Sequence, residues 1–294
     1  MNTVRAWALV LATCLGAGCT HRAVVTGDEA GPPDGAVDVV GRDWVNPAAP
    51  DHIYLVDELS VLLRFLPKSR QTFKVGKLKC QGANNFAHSM SVDRFGVAWV
   101  NLRPNDLVRV NTKTASCQPT DYKAPMGYDL FGMGFAPSGP GSSVERLFIS
   151  SSTFTAGKST GRLAWVDTST LAVNVIGLLP NSELSPELTG TRNGKLYGFF
   201  PGKAKTFVAQ LSQTTGKALK IWPLPALGHQ VSAWAFAHWG GMFYVFEAHT
   251  GNTRVLRLDP SSGKVVTWVK DLGYRVVGAG VSARAPGAAN DLGI

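Results

Sequence analysis

The sequence predicts an all-β fold: a single β-propeller of about five four-stranded blades, closed by a C-terminal strand that completes the first blade. Three observations predict it. The pattern of Ser89–Val110, SMSVDRFGVAWVNLRPNDLVRV, sets three short alternating apolar segments between turns, and it returns along the chain. The end of each third strand carries a turn marker, at Leu66-Pro67, Asn111-Thr112, Asp167-Thr168, Ser212-Gln213 and Asp259-Pro260, at intervals of 45, 56, 45 and 47 residues. That spacing is one four-stranded blade per interval. The third observation is a small-residue segment, VVGAGVSA at Val276–Ala283, which supplies the innermost strand that the first blade lacks at its own start.

Each strand position has its own composition. Ahead of the last four markers lie SMSV, GMGFA, ELTGT and AWAFA, small residues suited to strands that converge on a central channel. Next come IYLV, VAWV, RLFI, KLYGFF and MFYVF, rich in aromatic and apolar residues, which pack blade on blade. Fourth strands follow the markers: TFKVGKL, the short segment after Cys117, AVNVIGLLP, ALKIWPLP and VVTWVKDL. The turns hold Asn, Asp or Ser, which bond their own backbone, followed by Ser/Thr and often Gly, as in DPSSGK and SQTTGK. The long interval of 56 comes from insertions around Ser138–Val144 and Thr153–Ser159, loops of the kind that carry recognition.

The chain has 294 residues, 45% hydrophobic and 10% aromatic, ample for one large β domain. Its 29 basic and 20 acidic residues give a charge of +9. The basic residues sit singly on alternating positions, as in LVRVNTKT and VLRLDPSSGK. They form no run of the kind that marks a nucleic-acid or polybasic site, so no nucleic-acid partner is expected.

The N-terminus, MNTVRAWALVLATCLGAGC, has one Arg, an apolar run from Ala6 to Leu15 and small residues before Cys19. It reads as a secretory signal over residues 1–18, since a spanning helix needs about 20 apolar residues. Leu15-Gly16-Ala17-Gly18-Cys19 resembles a lipobox, the cleavage site of bacterial lipoproteins, and predicts lipidation of Cys19. Gly16 departs from the Leu which that pattern prefers, so ordinary cleavage near Gly18 is the alternative. With Thr20 after the cysteine, the resemblance implies the bacterial outer membrane; without lipid, the address is periplasmic or extracellular. Residues 19–51 read as a linker, with a single irregular strand at most over Val37–Val45. The propeller spans 52–286 and a short tail 287–294.

Cys80 and Cys117 remain after the signal and the lipid site are set aside. An even pair in an oxidising compartment predicts one disulfide, here between neighbouring outer strands across a blade boundary. Neither has a CxxC or Cys/His partner, so no metal site is expected.

AHSMSVDRFGVAWV, TGTRNGKLYGFF and RVLRLDPSSGKVVTW resemble the repeats of bacterial propellers such as streptogramin lyases and NHL-type proteins. The lipobox-like signal with FGMGF, ELTGTRNGKLYGFF and AWAFAHWGGMFYVF resembles a group of uncharacterised secreted or lipid-anchored propellers. Streptogramin lyases are metal-dependent eliminating enzymes that use His and acidic residues near the inner strands. His88 stands where that family often has its His, but Asp129-Leu130, Ser185-Pro186 and Val231-Ser232 replace the further His-Gly pairs. A lone His without a placed partner does no acid/base work, so a hydrogen-bonded structural role is expected.

The remaining candidates at the channel mouths are Asp129, Glu187, His229, His238 and Trp239. Glu187 is the expected acidic lining residue, and His238 falls at the opposite end of its strand. Trp239, beside Gly240-Gly241, is expected to be exposed and able to stack on a sugar or ring. Asp93, Asp167 and Asp259 read as turn formers. The composite expectation is a monomeric binding or scaffold protein for a cell-envelope protein, peptide or glycan, with no cofactor and the membrane reached only through its lipid. The alternative is a lyase or hydrolase using a divalent metal.

Overall fold

The computed structural model describes residues 50–80, 86–151, 153–155, 158–227 and 231–287. The signal segment, Cys19, the linker through residue 49, His229 and the tail beyond 287 lie outside them. The described residues form strands and no helix.

Strands β1 (Ile53–Asp57), β2 (Val61–Leu66) and β3 (Gln71–Lys77) begin the first blade. The second blade is β4 (Ala87–Val92), β5 (Val97–Leu102), β6 (Asp106–Asn111) and β7 (Cys117–Pro119). The third starts with β8 (Gly132–Pro137) and β9 (Glu145–Ser150). It then detours through a hairpin of β10 (Thr153–Thr155) and β11 (Lys158–Thr160), and resumes with β12 (Arg162–Val166) and β13 (Val173–Leu178). The fourth is β14 (Glu187–Gly190), β15 (Leu196–Phe200), β16 (Thr206–Leu211) and β17 (Ala218–Leu224). The fifth is β18 (Ala233–Trp239), β19 (Met242–Ala248), β20 (Thr253–Leu258) and β21 (Val265–Val269).

Finally β22 (Val276–Gly280) pairs antiparallel with β1, Tyr54 opposite Gly280 and Val56 opposite Gly278, and gives the first blade its fourth strand. Five four-stranded antiparallel sheets result, a five-bladed β-propeller closed by its C-terminal strand as the sequence predicts. The 56-residue interval is explained by the β8–β9 loop and the β10–β11 hairpin, both in the third blade.

The turn markers work through one shared geometry. At each, the carbonyl of the marker residue accepts from the N–H four residues on: Leu66 from Arg70, Asn111 from Ala115, Asp167 from Leu171, Ser212 from Gly216 and Asp259 from Gly263. The donor residue is left-handed in all five, with φ of 62°, 58°, 62°, 75° and 72°. Glycine adopts that conformation without strain, and it occupies two of the five. The marker side chains complete the turn: Asp259 Oδ1 accepts from Ser261 N–H at 2.8 Å and Asp167 Oδ1 from Ser169 N–H at 2.9 Å.

Apolar residues gather in five clusters, one per seam between blades. At the seam that closes the ring, Phe65 of the first blade meets Phe246 of the fifth edge-on at 5.8 Å between ring centres. Each such buried side chain contributes about 1.5–3 kcal/mol. Outside the clusters, outer strands are tied to the next blade's marker turn. Trp222 donates its indole N–H to Pro260 O, and Trp268 donates to Pro67 O, both at 2.9 Å. Trp268 also lies between two guanidinium groups, Arg257 at 3.7 Å and Arg70 at 4.0 Å from its ring centre. The disulfide joins Cys80, just after β3, to Cys117 at the start of β7, with Cα atoms 4.7 Å apart. It locks the first two blades at their rim, beside a parallel bridge between Lys79 and Ser116.

At the centre the inner strands meet backbone to backbone. A Cβ on Gly134 of β8 would stand 2.7 Å from Thr189 N of β14, and one on Gly278 of β22 would stand 2.8 Å from Met90 N of β4. No side chain fits there. This is why small residues fill these strands: with only five blades the inner strands crowd one another.

Candidate functional site

The channel has two mouths, set by the direction of the inner strands. At the mouth where those strands start lies a cavity of about 400 Å³. It is lined by residues just before or at the start of β4, β14, β18 and β22, with Glu58 and Leu59 from the β1–β2 turn and Arg103 from the end of β5. The sequence separates these residues widely; the ring brings them together.

His88 owes its position to a register shift. Ala87 pairs with Leu102 and Ser89 with Asn101, leaving His88 as the extra residue of a β-bulge. Bulges re-aim side chains in this way. Its Nδ1 faces Arg103 Nη2 at 3.4 Å. Because a guanidinium only donates, Nδ1 accepts and the neutral ring carries its proton on Nε2. Burial, together with the charge of Arg103, pulls the imidazole down to about 4, so it is neutral at pH 7.

Glu187 reaches into the cavity from the first residue of β14 and is almost wholly buried. Its Oε2 accepts from Ser89 Oγ at 2.8 Å, across from another blade, and Met133 N–H also donates to the carboxyl. Burial outweighs both bonds and holds its pKa well above the usual carboxylate range. Glu187, the acidic lining residue expected from the sequence, is among the residues that line this cavity.

Arg275 is held at both terminal nitrogens: Nη1 donates to Glu58 Oε2 at 2.7 Å, and Nη2 donates to Ser232 O and Oγ at 3.3 and 3.1 Å. Trp234 is fixed by its indole N–H, which donates to Ser185 O at 2.9 Å. Leu59 and Phe86, 60% and 49% exposed, form an apolar rim.

The other candidates lie elsewhere. Asp129 is exposed and does not line the cavity; its carbonyl accepts from Asn101 Nδ2 at 3.2 Å, which staples the chain before β8 to the second blade. His238 is buried between the fourth and fifth blades, stacked on Tyr197 with ring centres 6.2 Å apart, and desolvation lowers its pKa to about 4. Trp239 corrects an expectation. It is 3% exposed, packed in the closing seam, and its indole N–H donates to Pro50 O at 2.9 Å. The two glycines beside it form the tight β18–β19 turn, with φ of 59° and 78°. With the indole held by Pro50 and 3% exposed, no ring face is left for a sugar.

The divalent metal implied by the lyase resemblance does not fit the residues of the cavity. His88 turns a nitrogen to a guanidinium, Glu58 is paired with Arg275, and Glu187 is held by Ser89. Among the described residues no three His, Cys, Asp or Glu stand together as a ligand set.

No protein-family model and no curated protein sequence matches the chain. Solved structures are similar at low identity. One is a protein of unknown function from Bacteroides caccae, 12% identical, covering 79% of this chain and 98% of that one, with a TM-score of 0.43. A nidogen/laminin complex chain is 11% identical over 80% of this chain and 99% of its own, with a TM-score of 0.46. Hydrazine synthase of Kuenenia stuttgartiensis is 14% identical over 74% and 65%, with a TM-score of 0.42.

Proposed function

We propose that this protein is a binding or scaffold propeller of the bacterial cell envelope, and that it recognises its partner with the mouth that holds His88, Arg103 and Glu187. The partner is a protein, peptide or glycan of the envelope. The single observation that carries the reading is the cavity of about 400 Å³, in which charged side chains stand beside exposed apolar ones. Recognition sites have this make-up: a concave, largely apolar surface with a few placed polar groups. The address rests on the signal-like N-terminus and on Cys19 as the lipid carrier. A Cys19→Ala chain is expected to leave the membrane fraction, and retention there would count against the anchor.

Photocrosslinking in the native host tests the binding face. A photoreactive residue at Leu59, on the rim, is expected to yield a discrete adduct, whereas one at Leu178, exposed on the outer strand β13, is not. Equal labelling at both, or none at Leu59, would remove the cavity as the recognition surface. Conversion of the captured ligand, abolished in His88→Ala, would instead make the protein an enzyme.

A further inference from the structure

We infer that the cavity recognises a carboxylate attached to an apolar side chain, as presented by the C-terminus of a peptide that ends in a leucine- or phenylalanine-like residue. The inference rests on the reading of this mouth as the binding face and names the chemistry it takes.

The charges decide the polar half. Arg275 is neutralised by Glu58 at 2.7 Å, and its Nη2 is held by Ser232. Arg103 is exposed, and among the described residues no carboxylate pairs with it; its side-chain bond is the 3.4 Å contact with His88. Arg103 is therefore a cationic group of the cavity with no ion-pair partner among the described residues. The Nε2–H of His88 adds a neutral donor next to it. A guanidinium and a neighbouring N–H suit a carboxylate, with two oxygens and one negative charge. A phosphate dianion would bring a second charge with no second free cation to meet it.

The apolar half decides what the carboxylate is attached to. Trp234, fixed by its bond to Ser185, stands with Ala87, Ala233 and Val277 on the walls, and Leu59 and Phe86 stand at the rim. A sugar would need acceptors for its hydroxyls. Here Glu58 is paired and Glu187 already accepts two hydrogen bonds. An aliphatic or aromatic side chain needs none, and about 400 Å³ holds one or two residues of that size.

Calorimetric titration of the purified full-length chain tests this directly. The probes are N-acetyl-leucine and N-acetyl-phenylalanine, their C-terminal amides, and short peptides ending in either residue as acid or amide. The acids are expected to bind about 10- to 100-fold tighter than the amides, the range set by one charge-assisted hydrogen-bonded pair. Arg103→Ala should abolish that preference with an unchanged melting curve, since the side chain is exposed, and Arg103→Lys should restore part of it. Equal binding of acid and amide, no binding of any acid, or an intact preference in Arg103→Ala would overturn the inference. So would tighter binding of inorganic phosphate or of a neutral oligosaccharide in the same cavity. Those results leave the Leu59 crosslink untouched, whereas loss of that crosslink would take the binding face itself away.

Discussion

The two mouths of one channel are built oppositely. Where the inner strands begin, side chains from four blades stand back from the axis and leave a cavity. Where they end, the chain closes over itself. Trp239 donates to Pro50 O, Gly240 N–H donates to Pro286 O, and Gln213 Nε2 donates to both Pro137 O and Gly194 O. Arg94 adds its N–H to Glu145 and its guanidinium to the carbonyls of Ser142 and Ser143. Both mouths use polar groups to join blades, as Arg275 does between Glu58 and Ser232 at the open one, but Arg103 has its side-chain bond within its own blade, to His88. On the proposed function, recognition would sit at the end of the inner strands opposite to this closure.

Three measurements break or sharpen this contrast. The largest effect is expected from ending the chain at Tyr274, because β22 and its flanks serve both mouths: Arg275 and Val277 line the cavity, and Pro286 caps the other end. Without it the first blade is left with three strands and an open edge, and cooperative melting should be lost; a parent-like melting curve would refute the closure. Next, Trp239→Ala should lower stability by about 3–5 kcal/mol by emptying the closing seam, while Arg103→Ala should stay within about 0.5 kcal/mol. Similar losses from both, read by chemical denaturation, would erase the difference between the mouths.

The smallest effect is in pH. Glu187 at the open mouth and Glu145 at the sealed one both have raised carboxyl pKa values, Glu145 to about 8, mainly by desolvation. Their folded forms keep protons that the unfolded chain releases, so stability falls as pH rises from about 4.5 through the folded pKa. Each substitution to Gln should flatten that fall by at most one proton, about 1.4 kcal/mol per pH unit. For Glu145→Gln the flattening should end near pH 8. Unchanged slopes would mean that both groups ionise normally.

The fold was legible because its signals are local. A marker such as Asp259 forms its turn with its own neighbours, and Gly134 is small because the next strand is close, so each leaves a mark at its own position. The seal was less legible. Gly240-Gly241 beside Trp239 reads as an exposed turn, and only the distant Pro50 and Pro286 show what covers it. The cavity was legible in part: His88 and Glu187 stand at strand starts, where position alone points to the channel. Arg103, Arg275 and Glu58 were missed because their meaning is relational. One arginine is neutralised by a carboxylate more than two hundred residues away in sequence, the other is not, and nothing near either residue records the difference. The left-handed residues Arg70, Ala115 and Leu171 were hidden similarly, since only glycine announces that conformation and their turns use other residues.

The pairing of Tyr54 with Gly280 also sets an order of events in biosynthesis. The first blade emerges early yet waits for nearly the last strand before its edge is covered. Until then every shorter nascent chain is an open arc, with the closing seam around Phe65 and Phe246 unmade. Long-range pairing of this kind is slow to form. Among the described strands, ring closure is therefore the pairing that synthesis makes possible last.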